Sequence, residues 1–167
     1  MPPSVQPLHF REESHVEPWR TPKGTIVPLH GIAETGLAWA PWVPAFSREY
    51  RLVIPDLPGF GRSPLTPGVT RYSIESLADV VAEFMVAADL LNVHLVGAKL
   101  GGTIALGVAA RHPQLVRSLT VVGSPVTSHT TGGTANISEF GDVIRRGGLR
   151  RWAENTMRPR LGAEASD

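Results

Sequence analysis

The stretch LVGAKLGGTIAL (Leu95–Leu106) predicts a strand, a sharp turn and the first turns of a helix, with a lysine, Lys99, at the turn. Gly97 stands two residues before Lys99, and Gly101 and Gly102 stand two and three residues after it. Such small residues let a strand and the helix that follows it approach closely. We therefore expect Lys99 to adopt a positive φ, with its side chain pointing into a pocket.

Glycine-rich turns between a strand and a helix occur both in dinucleotide-binding sites and at catalytic nucleophiles. The residues around Lys99 distinguish these two kinds of site. A dinucleotide-binding turn requires glycine where Lys99 stands and an acidic residue near the end of the next strand. That strand ends in VVGSP (Val121–Pro125), which contains neither Asp nor Glu. We therefore interpret the turn as a nucleophile elbow, a position normally occupied by Ser, Asp or Cys.

Outward from this turn, apolar β-rich runs alternate with segments of helical periodicity. Strand-like runs lie within 24–31, 50–55, 93–97 and 116–125, and helical segments lie within 73–90 and 101–112. This alternation predicts an α/β fold, with a mostly parallel sheet and helices on both faces. The small polar residues of 128–133 predict a linker, and short helices interrupted at Gly147–Gly148 are expected after it.

Composition excludes several classes of function. The 167 residues carry a net charge of +1, from 16 basic and 15 acidic side chains, so neither nucleic acid nor an anionic membrane is an expected partner. The chain has no Cys, and its His, Asp and Glu residues lack metal-ligand spacing, so we predict no metal. Signal-peptide and membrane-spanning patterns are absent from the sequence, which favours a cytoplasmic protein.

Four motifs resemble the α/β-hydrolase superfamily, in the family's order and spacing. They are LHG (Leu29–Gly31), PDLPGFGRS (Pro55–Ser63), LVGAKLGG (Leu95–Gly102), where the family usually has LVGHSLGG, and ARHPQLVRSLTVVGSP (Ala110–Pro125). The resemblance is to the cofactor-independent branch of lactonases, esterases and carbon–carbon hydrolases. It implies an α/β-hydrolase core over residues 1–127 and the beginning of a helical cap over residues 128–167.

The resemblance also implies a site for a small-molecule substrate, with no cofactor. Lys99 would occupy the nucleophile position, and the backbone N–H groups of Ile32 and Leu100 would form the oxyanion hole. Residues expected around the pocket are His30, Gly31, Ser124 and His129. Trp39 and Trp42 are expected either in the wall of this pocket or in the core.

Several polar side chains are better interpreted as structural than as catalytic. His30 could act as a general base, but in this motif it more often orders its loop through hydrogen bonds. Asp56 is expected to support a loop, and Ser63 to cap a segment. His94, at the start of a strand, and His112, at the end of a helix, are expected at the surface or in caps.

Lys99 cannot replace serine in an acyl-enzyme cycle, because its acyl product would be an amide, which hydrolyses far more slowly than an ester. The helix N-terminus disfavours a cation, and partial burial disfavours it further, so we expect a neutral amine unless a carboxylate pairs with it. A neutral lysine can act as a base or form a Schiff base. The alternative is a spent site, natural or engineered.

Two functions follow from this. The leading one is a hydrolase-family enzyme for a small carbonyl compound such as an ester or lactone; the other is a catalytically silent protein that retains the pocket.

No residue of the chain matches the acid or the histidine of the family. The strand SLTVVG (Ser118–Gly123) is apolar on both faces, as an interior strand should be. We therefore expect a companion polypeptide, a nicked fragment or a second subunit, that supplies the remaining strands and both residues.

Overall fold

A computed structural model describes residues 7–66, 68–69, 71–125 and 137–157 of the chain. The chain divides into two compact units, residues 1–126 and 127–167. The predicted linker and His129 lie outside the described residues, so the predictions for them are not tested. In the second unit, α4 (Ile137–Met157) is broken at Gly148, whose φ is 73°, which confirms the predicted interruption.

The first unit is built on a five-stranded sheet. Its strands are β1 (Phe10–Glu13), β2 (Thr25–Leu29), β3 (Arg51–Pro55), β4 (Val93–Ala98) and β5 (Val116–Val122). They lie in the order β1-β3-β2-β4-β5. All neighbouring pairs are parallel except β1 with β3, which is antiparallel. The predicted parallel α/β sheet is confirmed, and β1 is a strand that the sequence analysis missed.

Two long helices cover one face of the sheet. They are α2 (Ile74–Ala87) and α3 (Leu100–Arg111). Ser73 caps α2 through a reciprocal pair of bonds with Ser76, a capping box. Asp79 of α2 accepts bonds from Arg111 and His112 at the end of α3. These bonds lower the pKa of Asp79 to about 2 and join the two helices.

The main core lies between the sheet and these two helices. Alternate strand residues point into it and are fully buried, among them Val27, Leu29, Val93 and Leu95. On the opposite face, a 3₁₀ helix (Gly36–Trp42) and the short α1 (Val43–Phe46) follow β2. Another 3₁₀ turn, Pro113–Leu115, leads from α3 into β5. Helical segments therefore flank both faces of the sheet, as predicted.

The parallel register brings two loops to one edge of the sheet. Leu29, the last residue of β2, pairs with Gly97 of β4. The chain leaves β2 into Gly31 and leaves β4 into Lys99, so both turns emerge side by side at the carboxyl ends of adjacent strands. Clefts form at such edges of parallel sheets.

The close approach at this edge generates a stability prediction. A Cβ at Gly97 would lie 2.5 Å from the Gly101 carbonyl oxygen and from Gly102 Cα, both of which are backbone atoms. We expect Gly97→Ala to lower the free energy of unfolding by about 3 kcal/mol, the upper range for overpacking, because backbone has to move. Urea unfolding followed by far-UV circular dichroism measures the change.

The matched control is Gly107→Ala in the middle of α3. There a Cβ would lie 3.0 Å from Ala78 Cβ, a tight side-chain contact. Alanine gains up to about 1 kcal/mol in a helix interior, which offsets that contact. We expect this control to stay near the wild-type stability. Equal stability of the two variants would contradict the close approach at Gly97.

Candidate active site

Lys99 lies at the sharp turn between β4 and α3. Its φ is 53° and its ψ is −121°, so the predicted positive φ is confirmed. Its N–H donates to the Val122 carbonyl oxygen at 2.9 Å, which ties the turn to the end of β5. Its own carbonyl accepts from the Gly102 N–H at 3.1 Å and the Thr103 N–H at 3.2 Å, which begins the helix.

Three glycines make this turn possible. Side chains at Gly97 and Gly101 would collide with backbone, and a side chain at Gly102 would collide with Ser124 Oγ. At Gly101 the obstructing backbone is that of Leu29 and His30, at the end of β2. The first turn of α3 therefore lies directly against the loop that follows β2, as the small residues of the motif predict.

The two expected oxyanion donors lie on the two sides of this contact. Leu100 is the first residue of α3, and the first N–H groups of an α-helix have no acceptor within the helix. Ile32 lies in the turn after β2, next to Ala33, whose φ is 59°. Within the described residues, no acceptor is found for the Ile32 N–H. Both amides are thus available to a ligand.

Glu34 is the partner of Lys99, and sequence reasoning missed it. Lys99 Nζ donates to Glu34 Oε1, while Glu34 Oε2 accepts from the Gly31 N–H at 2.9 Å. Burial raises the pKa of Glu34, but the bonds from Lys99 and Gly31 and the charge of Lys99 outweigh it, so the pKa lies below its ordinary value. The carboxylate that pairs with Lys99 thus lies in this chain, in the loop after β2. An acidic residue three positions after the loop glycine was the available signal.

The expected enclosure of Lys99 is wrong for the described residues. The Lys99 side chain lies over Gly31, since its Cδ is 2.9 Å from the position a Gly31 Cβ would take. It therefore borders the Gly31 loop as predicted. However, 57% of the side chain is exposed, so the expected partial burial of Lys99 is not found.

His30 is a structural residue. It is fully buried, its Nδ1–H donates to the Gly31 carbonyl oxygen at 2.8 Å, and its Nε2 accepts from the Leu57 N–H at 2.9 Å. Burial, opposed by the Gly31 bond and the charges of Asp56 and Glu34, lowers the pKa of His30. The interpretation of His30 as the residue that orders its loop is confirmed, and its expected place in a pocket wall is wrong.

Asp56 supports the loops on both sides of the site. Its Oδ1 accepts from the Gly36 N–H at 2.8 Å, and its Oδ2 accepts from the Arg62 N–H at 3.0 Å and contacts His9 Nδ1 at 3.2 Å. Ser63 Oγ donates to the Asp56 carbonyl oxygen at 2.7 Å and accepts from the His9 N–H at 2.9 Å. Both side chains are structural, as expected.

The remaining candidates are dispersed. Ser124 lies beside Gly102, and its Oγ donates to the Val122 carbonyl oxygen at 3.2 Å, so it is close to the elbow. His112 follows α3 and bonds Asp79. His94 bonds Ser118 Oγ at 2.7 Å on the sheet face opposite the main core.

Trp39 and Trp42 wall a different cavity from the one expected. An apolar groove of about 340 Å³ lies on the sheet face opposite α2 and α3, and neither Lys99 nor the Gly31 loop lines it. Its lining includes Ile26, Pro28, Trp39, Trp42, His94 and Val96. The expectation that the tryptophans wall the pocket of Lys99 is therefore wrong for the described residues.

The described residues contain neither a metal-binding cluster nor a membrane-spanning helix. Within them, no group of three or more His, Asp or Glu side chains could hold a metal ion. In the same part of the chain, the helices are too short or too polar to cross a membrane.

Comparison with known proteins agrees with this geometry. The family model for the alpha/beta hydrolase fold matches residues 24–165. Since the match covers most of the chain, the chain belongs to the α/β-hydrolase family.

Individual relatives are hydrolases. The chain is 43% identical over 101 residues to a pimeloyl-[acyl-carrier protein] methyl ester esterase of Aeromonas hydrophila, covering 60% of this chain and 38% of the relative. It is 36% identical over 102 residues to a 2-hydroxy-6-oxo-2,4-heptadienoate hydrolase of Pseudomonas putida, covering 59% and 37%. The chain thus spans well under half the length of these curated relatives.

A solved structure is similar to this chain over nearly its whole length. The N-acyl homoserine lactonase AidH, crystallised with N-butanoyl homoserine, is 26% identical, with a TM-score of 0.71. The alignment covers 95% of this chain and 57% of the lactonase.

The buried Asp56 carboxylate generates a prediction on acid stability. Burial raises the pKa of Asp56, but the bonds from Arg62, Gly36 and His9 have the larger, opposite effect. The pKa of Asp56 therefore lies below its ordinary value of 3.8. The contribution of Asp56 is therefore complete above about pH 5 and is lost as the pH falls through the folded pKa. We expect Asp56→Asn to cost about 2 kcal/mol at neutral pH and much less near pH 2.

Urea unfolding of wild type and variant at both pH values measures this difference. The control is Asp89→Asn, an exposed position whose φ of 54° suits Asn as well as Asp. We expect the control to be neutral at both pH values. A constant difference between Asp56→Asn and wild type across pH would contradict the assignment.

Proposed function

We propose that this member of the α/β-hydrolase family forms the elbow and oxyanion side of a hydrolase site for a small carbonyl compound, with Lys99 in place of the nucleophile. The observation that carries the proposal is the juxtaposition of a positive-φ residue at position 99 with the turn after β2. This juxtaposition supports a site in which residue 99 and the backbone N–H groups of Ile32 and Leu100 would act on one bound carbonyl group.

The oxyanion donors define what this part of the site can do. A carbonyl oxygen placed between the Ile32 and Leu100 N–H groups would accept two hydrogen bonds, which strengthen as negative charge develops on it. In known hydrolases, each such donor lowers the activation free energy by about 3 kcal/mol. Backbone amides retain this capacity whatever side chain occupies position 99.

Water, rather than Lys99, is the proposed attacking group. Attack by Nζ on an ester would give an amide, and the elbow would stay acylated. Lys99 Nζ is also engaged as a donor to Glu34. Water attacking the polarised carbonyl avoids both obstacles and requires no cofactor or metal.

The relatives support the substrate class. One acts on a methyl ester, one is a hydrolase of an oxo-heptadienoate, and one is a lactonase, according to their names. Esters, lactones and ketones share a carbonyl group that two N–H donors can hold. We therefore propose an ester, a lactone or a carbon–carbon bond next to a ketone as the substrate.

A second function, a binding protein without turnover, is favoured by the Lys99–Glu34 pair. The ion pair occupies the nucleophile position and joins it to the Gly31 loop. A pocket closed in this way could still bind a carbonyl compound without reacting with it.

We also propose a companion polypeptide that pairs with β5 and supplies the acid and the histidine. In the described sheet, β5 pairs with β4 on one side and has no strand on the other. Its apolar residues Val121 and Val122 are 37% and 56% exposed. An apolar edge of this kind promotes association, so a further strand there would stabilise the sheet.

A substitution at the elbow distinguishes the two functions. We expect the wild type to hydrolyse at least one member of a panel of chromogenic esters and lactones, and Lys99→Ser to change kcat by at least about tenfold, or about 1.4 kcal/mol. Lys23→Ser, at an exposed lysine paired with Glu49, should leave kcat unchanged. An inert wild type that binds the panel, with activity gained in Lys99→Ser, would favour the binding protein.

The route of the reaction is tested on the same samples by intact-mass spectrometry. We expect no acyl group on Lys99 during turnover, because the amide would accumulate as a dead end. A kinetically competent acyl-Lys99 adduct would contradict the water mechanism.

The companion polypeptide is tested on the purified protein. Denaturing electrophoresis and intact-mass analysis should show a second species beside the 18.0 kDa chain, and native mass spectrometry should show both in one complex. One monodisperse, folded species of 18.0 kDa would refute this proposal.

A further inference from the structure

Glu34 links the side chain of the elbow to the backbone of the neighbouring loop. One carboxylate oxygen accepts from the Gly31 N–H at 2.9 Å, and the other accepts from Lys99 Nζ. The Glu34 side chain is 28% exposed, so it is half-buried beside the loop. Because the Gly31 amide fixes one oxygen, the other is held in place for Lys99.

The path of the Lys99 side chain gives this contact its geometry. The chain of methylenes crosses Gly31, where any Cβ would lie 2.9 Å from Lys99 Cδ. The missing side chain at Gly31 thus leaves room for Lys99 to lie flat and reach Glu34. The amine is directed along the loop and away from a free position above the elbow.

This contact controls the chemistry that Lys99 can perform. An amine attacks a carbonyl carbon only through a free lone pair, which the ammonium form lacks. Lys99 Nζ donates to Glu34 Oε1, and an amine held against a carboxylate in this way is not free to approach a carbonyl carbon. His30 is the other titratable group that acts on Glu34, and its ring nitrogens already bond backbone groups.

We propose that Glu34 is a positioning residue that holds Lys99 in an unreactive state, and that Lys99 released from Glu34 forms an imine with small aldehydes or ketones. The inference rests on the proposed function only in placing Lys99 at the nucleophile position. In the released state, the Nζ lone pair attacks the carbonyl carbon to give a carbinolamine. Loss of one water, made from the former carbonyl oxygen and two protons, leaves the imine.

The chain provides its own reference for this reaction. Its sequence contains only two lysines, Lys23 and Lys99. Lys23 Nζ lies 2.8 Å from Glu49 Oε2, and both side chains are about half exposed. Lys23 is therefore a paired lysine outside the elbow, and Glu49→Gln is the matched control for Glu34→Gln.

The experiment treats the purified protein with butanal and sodium borohydride at about pH 7.5, where ordinary lysines are mostly protonated. Borohydride delivers hydride to the imine carbon and fixes the adduct as a secondary amine. Peptide mass spectrometry then gives the ratio of adduct at Lys99 to adduct at Lys23. We expect Glu34→Gln to raise this ratio about two- to fivefold and Glu49→Gln not to raise it.

The matched variants separate positioning from a change in structure. In Glu34→Gln, labelling of Lys99 should rise relative to that of Lys23 while the far-UV circular dichroism signal stays that of the wild type. A folded Glu34→Gln variant with an unchanged ratio would overturn the proposal.

If Glu34→Gln loses the far-UV circular dichroism signal of the folded protein, the same labelling is carried out on Glu34→Asp. This side chain is one methylene shorter and cannot span both contacts. A raised Lys99 ratio in Glu34→Asp would support the proposal, and an unchanged one would overturn it. Since labelling needs no hydrolysis, a raised ratio with an inert ester panel would reject the proposed function and leave this inference standing.

Discussion

Contact between backbone and backbone at the carboxyl edge of the sheet determines the rest of this molecule. The first turn of α3 lies against the last residues of β2 and β4, with no side chain between them. Glycine is required on both sides of the contact, and residue 99 is forced to a φ of 53° because the chain reverses within one residue. The same contact places the turn after β2 beside the elbow, so the geometry of the site is a consequence of how the core closes.

The loops at this edge are held by polar side chains that bond to backbone amides. Asp56 accepts from Gly36 and Arg62, His30 joins Gly31 to Leu57, and Glu34 accepts from Gly31. Buried acceptors of this kind are costly to leave unpaired, so each bond fixes its loop more firmly than surface contacts do. Glu34 differs from the others in having a second partner, Lys99, which links loop order to the chemical state of the elbow.

Much of the fold could be predicted because its signals are local. Apolar runs ended by Gly or Pro marked β2 to β5, helical periodicity marked α2 and α3, and the spaced glycines gave the positive φ of Lys99. β1 was missed because four residues of alternating burial, Phe10–Glu13, carry too weak a pattern. Glu34 was missed because its partners are Gly31 nearby and Lys99, which is distant in sequence and meets it only through the register of β2 and β4. The wrong placement of Trp39 has the same origin, since the sequence does not show which side of the sheet the 3₁₀ helix covers.

The three glycines around Lys99 have a consequence for how such chains evolve. Their replacement damages packing whether or not residue 99 performs a reaction, so selection for a folded protein alone retains them. The side chain at position 99 is under no such restraint, because it extends outward from the contact. Natural selection can therefore exchange the reactive group while the frame around it persists, and the motif records ancestry more faithfully than present activity. A lysine framed by three glycines is what this unequal pressure is expected to leave behind.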